Sequence, residues 1–135
     1  MQLSKIKQTR LELNWDHVNY VMKYTVRDRP CVYIIRDKLG MAIRIGSSTF
    51  NLAYRLKNYA HFGRKYYKEI VQEGTQIIIF EMPELLHDRD QLKAQLVFLE
   101  KALSAVHQPR YNVELEIIGE RMVPLKEHQP FVYQK

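Results

Sequence analysis

Apolar and polar positions along the chain divide it into short elements. Cys31-Val-Tyr-Ile-Ile-Arg36 is a run of β-branched and aromatic residues that predicts a strand. Asp37-Lys-Leu-Gly40 is a turn signal, with Gly40 free to take a positive φ. Met41-Ala-Ile-Arg-Ile-Gly46 then predicts a second strand, so the two form a hairpin. Gly46-Ser-Ser-Thr49 reads as a short loop before a helix from about Asn51 to Ala60, whose inward face is Leu52, Leu56 and Tyr59. A second short helix is predicted from Arg64 to Gln72, and a third strand over Thr75–Glu81, closed by Pro83. Between Asp88 and Val106 the residues Leu92, Leu96, Leu99, Leu103 and Val106 recur at helical spacing. Asp88 and Asp90 sit at the positive end of that helix, and Pro109 stops it.

The flanks are less regular. In residues 1–29 Asn14 or Asp16 can cap a short helix carrying Val18, Val21 and Met22 inward, and Arg29-Pro30 breaks it. We expect an N-terminal extension over residues 1–29, a domain over 30–113, and a tail over 114–135 that packs on the domain. Within the tail, Val113–Ile118 and Phe131–Tyr133 are strand-like. The order of elements implies a small α/β (α+β) sheet covered by helices.

Charge and composition narrow the function. The chain has 135 residues, enough for one domain with its own core. Lys and Arg total 21 against 15 Asp and Glu, a balance that favours an anionic partner. With 46% hydrophobic and 27% charged residues, wholesale disorder is excluded. The single cysteine, Cys31, excludes a disulfide framework and reads as a buried small hydrophobe. No apolar run reaches the roughly 20 residues of a membrane span, and no secretory signal is evident, so the expectation is a cytoplasmic protein.

Three groups of residues can carry chemistry. Residues 51–70 hold Arg55, Lys57, His61, Arg64, Lys65 and Lys68, interleaved with Tyr54, Tyr59, Phe62, Tyr66 and Tyr67. Cations there neutralise phosphates and aromatics stack on bases; the plainer alternative is a solvated basic helix with core aromatics. Glu100 lies at the border of the leucine stripe, with no basic side chain at i±3 or i±4. It is either a metal ligand or acid/base group, or a flanking carboxylate reaching water. Arg55 and Tyr59 share one helix face, either as a phosphate clamp or as a surface Arg beside a core Tyr. The histidines lack zinc-site spacing, and no P-loop, G-x-G-x-x-G or G-x-S-x-G is present.

Taken in order, these pieces resemble the GIY-YIG nuclease family. Cys31-Val-Tyr33 stands where that family has Gly-Ile-Tyr, and Arg44-Ile-Gly46, eleven residues on, where it has Tyr-Ile-Gly. Ser47-Ser48-x-x-Asn-Leu-x-x-Arg55-Leu-x-x-Tyr59 looks like the helix that carries its arginine. Glu100, eight residues before Gln108-Pro-Arg-Tyr-Asn112, looks like the metal-binding Glu and the Pro-x-Tyr-Asn signature, in the form found in bacterial excision-repair nuclease domains. The resemblance covers roughly residues 30–113. It implies a small three-stranded mixed or antiparallel sheet flanked by helices, and metal-dependent hydrolysis of phosphodiester bonds in DNA, with RNA left open.

Carried over residue by residue, the resemblance makes Tyr33 the general base, Arg55 the stabiliser of phosphate charge, and Glu100 the ligand of Mg²⁺ or Mn²⁺. Tyr59 orients water or phosphate, Gly46 and Asn112 support the site, and Ser47 and Ser48 bind a backbone phosphate. Lys57, His61, Arg64, Lys65 and Lys68 complete the nucleic-acid surface. Two positions depart from the pattern: Cys31 replaces a Gly and Arg44 a Tyr. A basic residue at the second position occurs in some restriction enzymes of the family, where the first-motif Tyr serves as base. The guanidinium of Arg44 is expected to favour the phenolate of Tyr33. The rival expectations are a nucleic-acid-binding protein of the same fold without cleavage, and a protein-interaction module. A homodimer is left open.

Overall fold

A computed structural model describes residues 6–18, 29–49, 51–82 and 88–112, with the backbone of two short strands beyond them. The elements are β1 (Lys7–Glu12), β2 (Cys31–Arg36), β3 (Ala42–Ser48), α1 (Leu52–His61), α2 (Tyr67–Glu73), β4 (Gln76–Glu81), α3 (Arg89–His107), β5 (Leu115–Ile118) and β6 (Arg121–Pro124). The fold is mixed α/β, as the sequence implies. Its main sheet is antiparallel and runs β1-β4-β2-β3. Strands β5 and β6 form a separate hairpin.

The sheet has four strands where three are expected, because β1 pairs along the whole of β4. Its sequence, KQTRLE, is mostly exposed and has one apolar residue, so hydropathy does not mark it as a strand. Its backbone bonds to β4 supply what its side chains do not. Where the N-terminal helix is expected, the described residues form a 3₁₀ turn over 15–18, and Asn14 Oδ1 accepts from Asp16 N–H at 3.0 Å. Val18 is buried as expected, while Val21, Met22, Pro83 and Phe131–Tyr133 lie outside the described residues.

Strands β2 and β4 are covered on both faces. Tyr33, Ile35, Ile77 and Ile79 pack with Leu52, Leu56 and Tyr59 of α1 and with Tyr67 and Ile70 of α2. Val32, Ile34, Ile45 and Ile78 pack with Leu96 and Leu99 of α3 on the other face. This sandwich explains why both strands read as continuous apolar runs without alternation. Helix α1 begins where Asn51 caps it, its Oδ1 accepting from Tyr54 N–H at 3.1 Å. Asp88 caps α3 through Asp90 and Gln91.

The leucine stripe of α3 shortens at its end. Leu96 and Leu99 are buried and Leu92 and Leu103 half-buried, but Val106 is 76% exposed. The last turn of α3 has left the face of the sheet, and the chain turns at Gln108, with φ 48°, toward the edge of β3. No described helix is long and apolar enough to cross a membrane.

Leu56→Ala therefore costs about 2–5 kcal/mol of stability, because it opens a cavity under α1. Val106→Ala costs less than about 0.5 kcal/mol. Urea unfolding of the two variants checks the contrast. Equal losses would put Val106 in the core.

Candidate active site

Tyr33 is the centre of the site. It is fully buried on β2, and its partner across the hairpin is Gly46 of β3. A Cβ on Gly46 would lie 2.5 Å from the Tyr33 hydroxyl and 2.7 Å from the ring carbon that bears it. The glycine is thus a space requirement: only a residue without a side chain lets the phenol lie flat over β3. The Tyr33 hydroxyl is hydrogen-bonded to the Tyr59 hydroxyl at 2.6 Å. Tyr59 is held from the other side by Tyr67, Trp15 and Arg44.

Arg44 reaches this group because it pairs with Ile35, two positions from the Tyr33–Gly46 pair, and so shares their face of the sheet. Pairing between β2 and β3 runs Ile35 to Arg44, then jumps to Arg36 and Ala42, which leaves Ile43 as an extra residue. The bulge lets Ile43 enter the core beneath α1 and α2 while its neighbour Arg44 points to the same side. Arg44 Nε donates to the Tyr59 hydroxyl at 3.1 Å, and Nη1 donates to the Tyr111 carbonyl at 3.1 Å.

The chain after α3 closes the edge of β3. Tyr111 N–H donates to Ile43 O at 2.8 Å, and Arg110 N–H to Ala42 O at 3.3 Å. The Asn112 side chain then copies a strand partner: its Oδ1 accepts from Ile45 N–H at 2.7 Å and its Nδ2 donates to Ile45 O at 2.9 Å. Asn112 thus holds the backbone on which Arg44 and Gly46 stand.

Glu100 comes from α3, on the opposite face of the sheet, and meets the site around the β3 edge. Its Oε2 accepts from Ser47 Oγ at 3.4 Å. Burial pushes the Glu100 carboxyl above the usual range, although Arg44, Arg55 and the Ser47 hydroxyl each pull it down. Arg55 stands on the exposed side of α1, within electrostatic reach of Tyr33, Tyr59 and Glu100. Five predicted residues, Tyr33, Arg44, Arg55, Tyr59 and Glu100, are therefore brought together.

The expected lowering of the Tyr33 hydroxyl by Arg44 is present but outweighed. Burial and the neighbouring Tyr59 push the Tyr33 hydroxyl well above its ordinary value, and outweigh the lowering by Arg55 and Arg44. Complete desolvation of a phenolate costs more than two guanidinia at the rim return. The protein's own groups thus favour the neutral form of Tyr33.

Other predicted positions sort by exposure. Strand β3 extends through Ser47 and Ser48, where a loop was expected. Ser47 bonds to Glu100, and Ser48 is buried opposite Cys31 rather than standing on the surface. Cys31 is buried as expected, its thiol pushed up to about 12 by burial and by Glu81. His61, Arg64, Lys65 and Lys68 are exposed and Lys57 is half-exposed. Of the aromatics between them, Tyr59 and Tyr67 belong to the core and Tyr66 packs on Tyr111. Tyr54 and Phe62 are 65% and 54% exposed. Sequence reasoning missed Tyr111, whose carbonyl anchors Arg44; it lies inside the Pro-Arg-Tyr-Asn stretch, but a backbone contact leaves no mark on residue type.

The donor set around Glu100 has a clear chemical preference. Among the described residues no three His, Cys, Asp or Glu side chains come together, so a zinc-type cage does not fit. A lone carboxylate and a serine hydroxyl fit a hard cation that keeps most of its water.

Comparison with known proteins bears on the fold. The fold is that of the GIY-YIG domain. The chain is similar to the UvrABC system protein C from Symbiobacterium thermophilum, with 28% identity over 88 residues. That match takes in 65% of this chain but 13% of the relative. Among solved structures it resembles the GIY-YIG N-terminal endonuclease domain of UvrC from Thermotoga maritima, in a point mutant bound to its catalytic divalent cation. Identity is 26%, the TM-score is 0.51, and the match covers 71% of this chain and 97% of that one. The magnesium-bound form of the same domain matches in fold, with a TM-score of 0.50 over 70% of this chain and 97% of that one, at 24% identity. No protein-family model matches the chain.

Two outcomes follow from the packing. Gly46→Ala destabilises by about 1–3 kcal/mol, because it overpacks against the Tyr33 ring; an unchanged urea midpoint would refute the close contact. Glu100, whose carboxyl is raised in the fold, binds a proton more tightly folded than unfolded. It therefore costs stability progressively as pH rises from the ordinary carboxylate range through its raised value. Glu100→Gln is expected to raise the melting temperature at pH 7 in EDTA and to lose that advantage at pH 4.

Proposed function

We propose that the chain is a divalent-metal-dependent endonuclease that hydrolyses phosphodiester bonds in DNA. The observation that carries this reading is that Arg44 and Arg55 lie within electrostatic reach of both the Tyr33–Tyr59 pair and the Glu100 carboxylate at one edge of the sheet. The likeness to a domain whose solved forms hold a catalytic divalent cation supports it.

Phosphodiester hydrolysis needs an activated water and stabilisation of the charge that develops on phosphorus-bound oxygens. Glu100 would hold Mg²⁺ or Mn²⁺, with water completing the shell. Such an ion supplies Lewis-acid polarisation of a phosphate oxygen. Arg55, exposed at the mouth, binds the scissile phosphate through its planar fork. Arg44, with two donors anchored, presents the rest of its guanidinium to the same anion. In its phenolate form, which gains population as pH rises, Tyr33 takes the proton of the attacking water, and Tyr59 fixes its oxygen in place. Gly46 and Asn112 keep that geometry.

The exposed row His61, Arg64, Lys65 and Lys68, with Lys57, contacts the nucleic-acid backbone, and Tyr54 and Phe62 offer ring faces to unpaired bases.

The test is nicking of supercoiled plasmid with Mg²⁺, Mn²⁺ or EDTA. Cleavage is expected to need the ion and to disappear in Glu100→Ala. Because the base is a phenol raised by burial, the rate climbs about tenfold per pH unit from 7 to 9, and Tyr33→Phe removes most of the activity at every pH. A wild type that binds DNA with a steep salt dependence, yet cuts nothing with either ion, would replace this reading with that of a binding protein of the same fold.

A further inference from the structure

The half-buried cluster behind the site holds four groups that cleavage itself does not use. Glu73, the last residue of α2, receives two donors: Arg110 Nη1 at 2.6 Å on Oε1, and the Tyr111 hydroxyl on Oε2. Arg110 Nη2 reaches Asp37 Oδ2 at 3.3 Å. Asp37 is committed to the hairpin turn, where its Oδ1 accepts from the N–H groups of Leu39 and Met41, each at 2.9 Å. The Tyr111 ring packs on Tyr66 at 5.4 Å between centroids.

These contacts tie α2, the β2–β3 turn and the segment after α3 to one another. The tied segment is the one whose Tyr111 carbonyl receives Arg44 Nη1. An arginine side chain has four rotatable bonds and about 2 kcal/mol of rotamer entropy, so one hydroxyl at Nε does not fix its plane. The second anchor does, and its position depends on where Tyr111 is held.

We propose that Glu73 is a positioning residue: by holding Tyr111 and Arg110 it sets the carbonyl that orients the Arg44 guanidinium toward the reacting phosphate. This rests on the nuclease reading for its consequence in rate, but not for its consequence in structure. As ion pairs, the contacts of a 40% exposed Arg110 add little stability. Their effect is geometric, and a shift of about 1 Å in a charge-stabilising group costs up to about 100-fold in rate.

The experiment compares wild type, Glu73→Ala and Tyr111→Phe, the second of which keeps the backbone carbonyl and the ring. Single-turnover nicking of supercoiled plasmid is measured beside affinity for a labelled duplex in EDTA, well below each melting temperature. Independently, the ¹H–¹⁵N signal of Arg44 Nε, assigned by its loss in Arg44→Ala, reports exchange of the anchored proton. Both variants are expected to lose about tenfold or more in rate with affinity unchanged, and to broaden the Arg44 signal. Unchanged rate and a sharp signal in Tyr111→Phe would overturn the proposal, as would rate losses that merely follow lost affinity. If wild type nicks nothing, the nuclease reading falls, and the Arg44 signal alone decides whether Glu73 positions that side chain.

Discussion

A complete phenol laid against a neighbouring strand sets the terms for everything around it. Tyr33 occupies space that a side chain on β3 would need, and Gly46 yields it. With its hydroxyl buried, Tyr33 must find a hydrogen bond inside the protein, and Tyr59 supplies it at 2.6 Å. That requirement places α1 over the sheet, because Tyr59 shares its helix face with Leu52 and Leu56. It also places Arg55 one turn earlier at the open rim. One steric fact thus fixes strand pairing, helix packing and the location of a cation.

The site is built from both sides of a sheet, which is unusual for layers that keep their faces apart. The tyrosines and arginines belong to the α1 and α2 layer, and Glu100 to the α3 layer. They meet because β3 is an edge, with Arg44 on the Tyr33 face opposite Ile35 and Ser47 reaching Glu100 from the other side. An interior strand in the same place would separate the carboxylate from the arginines by its own neighbours. The same edge is sealed by Arg110–Asn112, so its backbone groups do not stand open for another chain to pair with.

Much of this arrangement is legible in the residues. The hairpin and the three helices follow from apolar spacing, while the cap of α1 is Asn51 and not a residue of the Gly46–Thr49 stretch, which is strand through Ser48. The five site residues can be picked out because their motifs fall on those elements in order. What escapes is of three kinds. Strand β1 escapes because its side chains are solvated and its reason for existing is backbone pairing. The bulge escapes because Ala42-Ile-Arg-Ile-Gly46 alternates as a regular strand does, so nothing marks Ile43 as extra. The protonation of Tyr33 escapes because it depends on depth: the guanidinia are visible in the sequence, the complete loss of water is not. Val106 shows the converse error, since helical spacing continues after the surface it would cover has ended.

The Asn112 clamp has a bearing on how the molecule comes into being. Asn112 and Ile45 are 67 positions apart in the chain, and Arg44 lies the same distance from the carbonyl that anchors it. Contacts between such distant partners form only after the intervening loop entropy has been overcome, so they belong to the late events of folding. During synthesis the hairpin, α1 and α2 leave the ribosome long before residue 112 does. A nascent or truncated chain can hold the tyrosine pair, yet it lacks the tether for Arg44 and the seal on β3. The tether for Arg44 and the seal on β3 therefore arrive together with the completed fold.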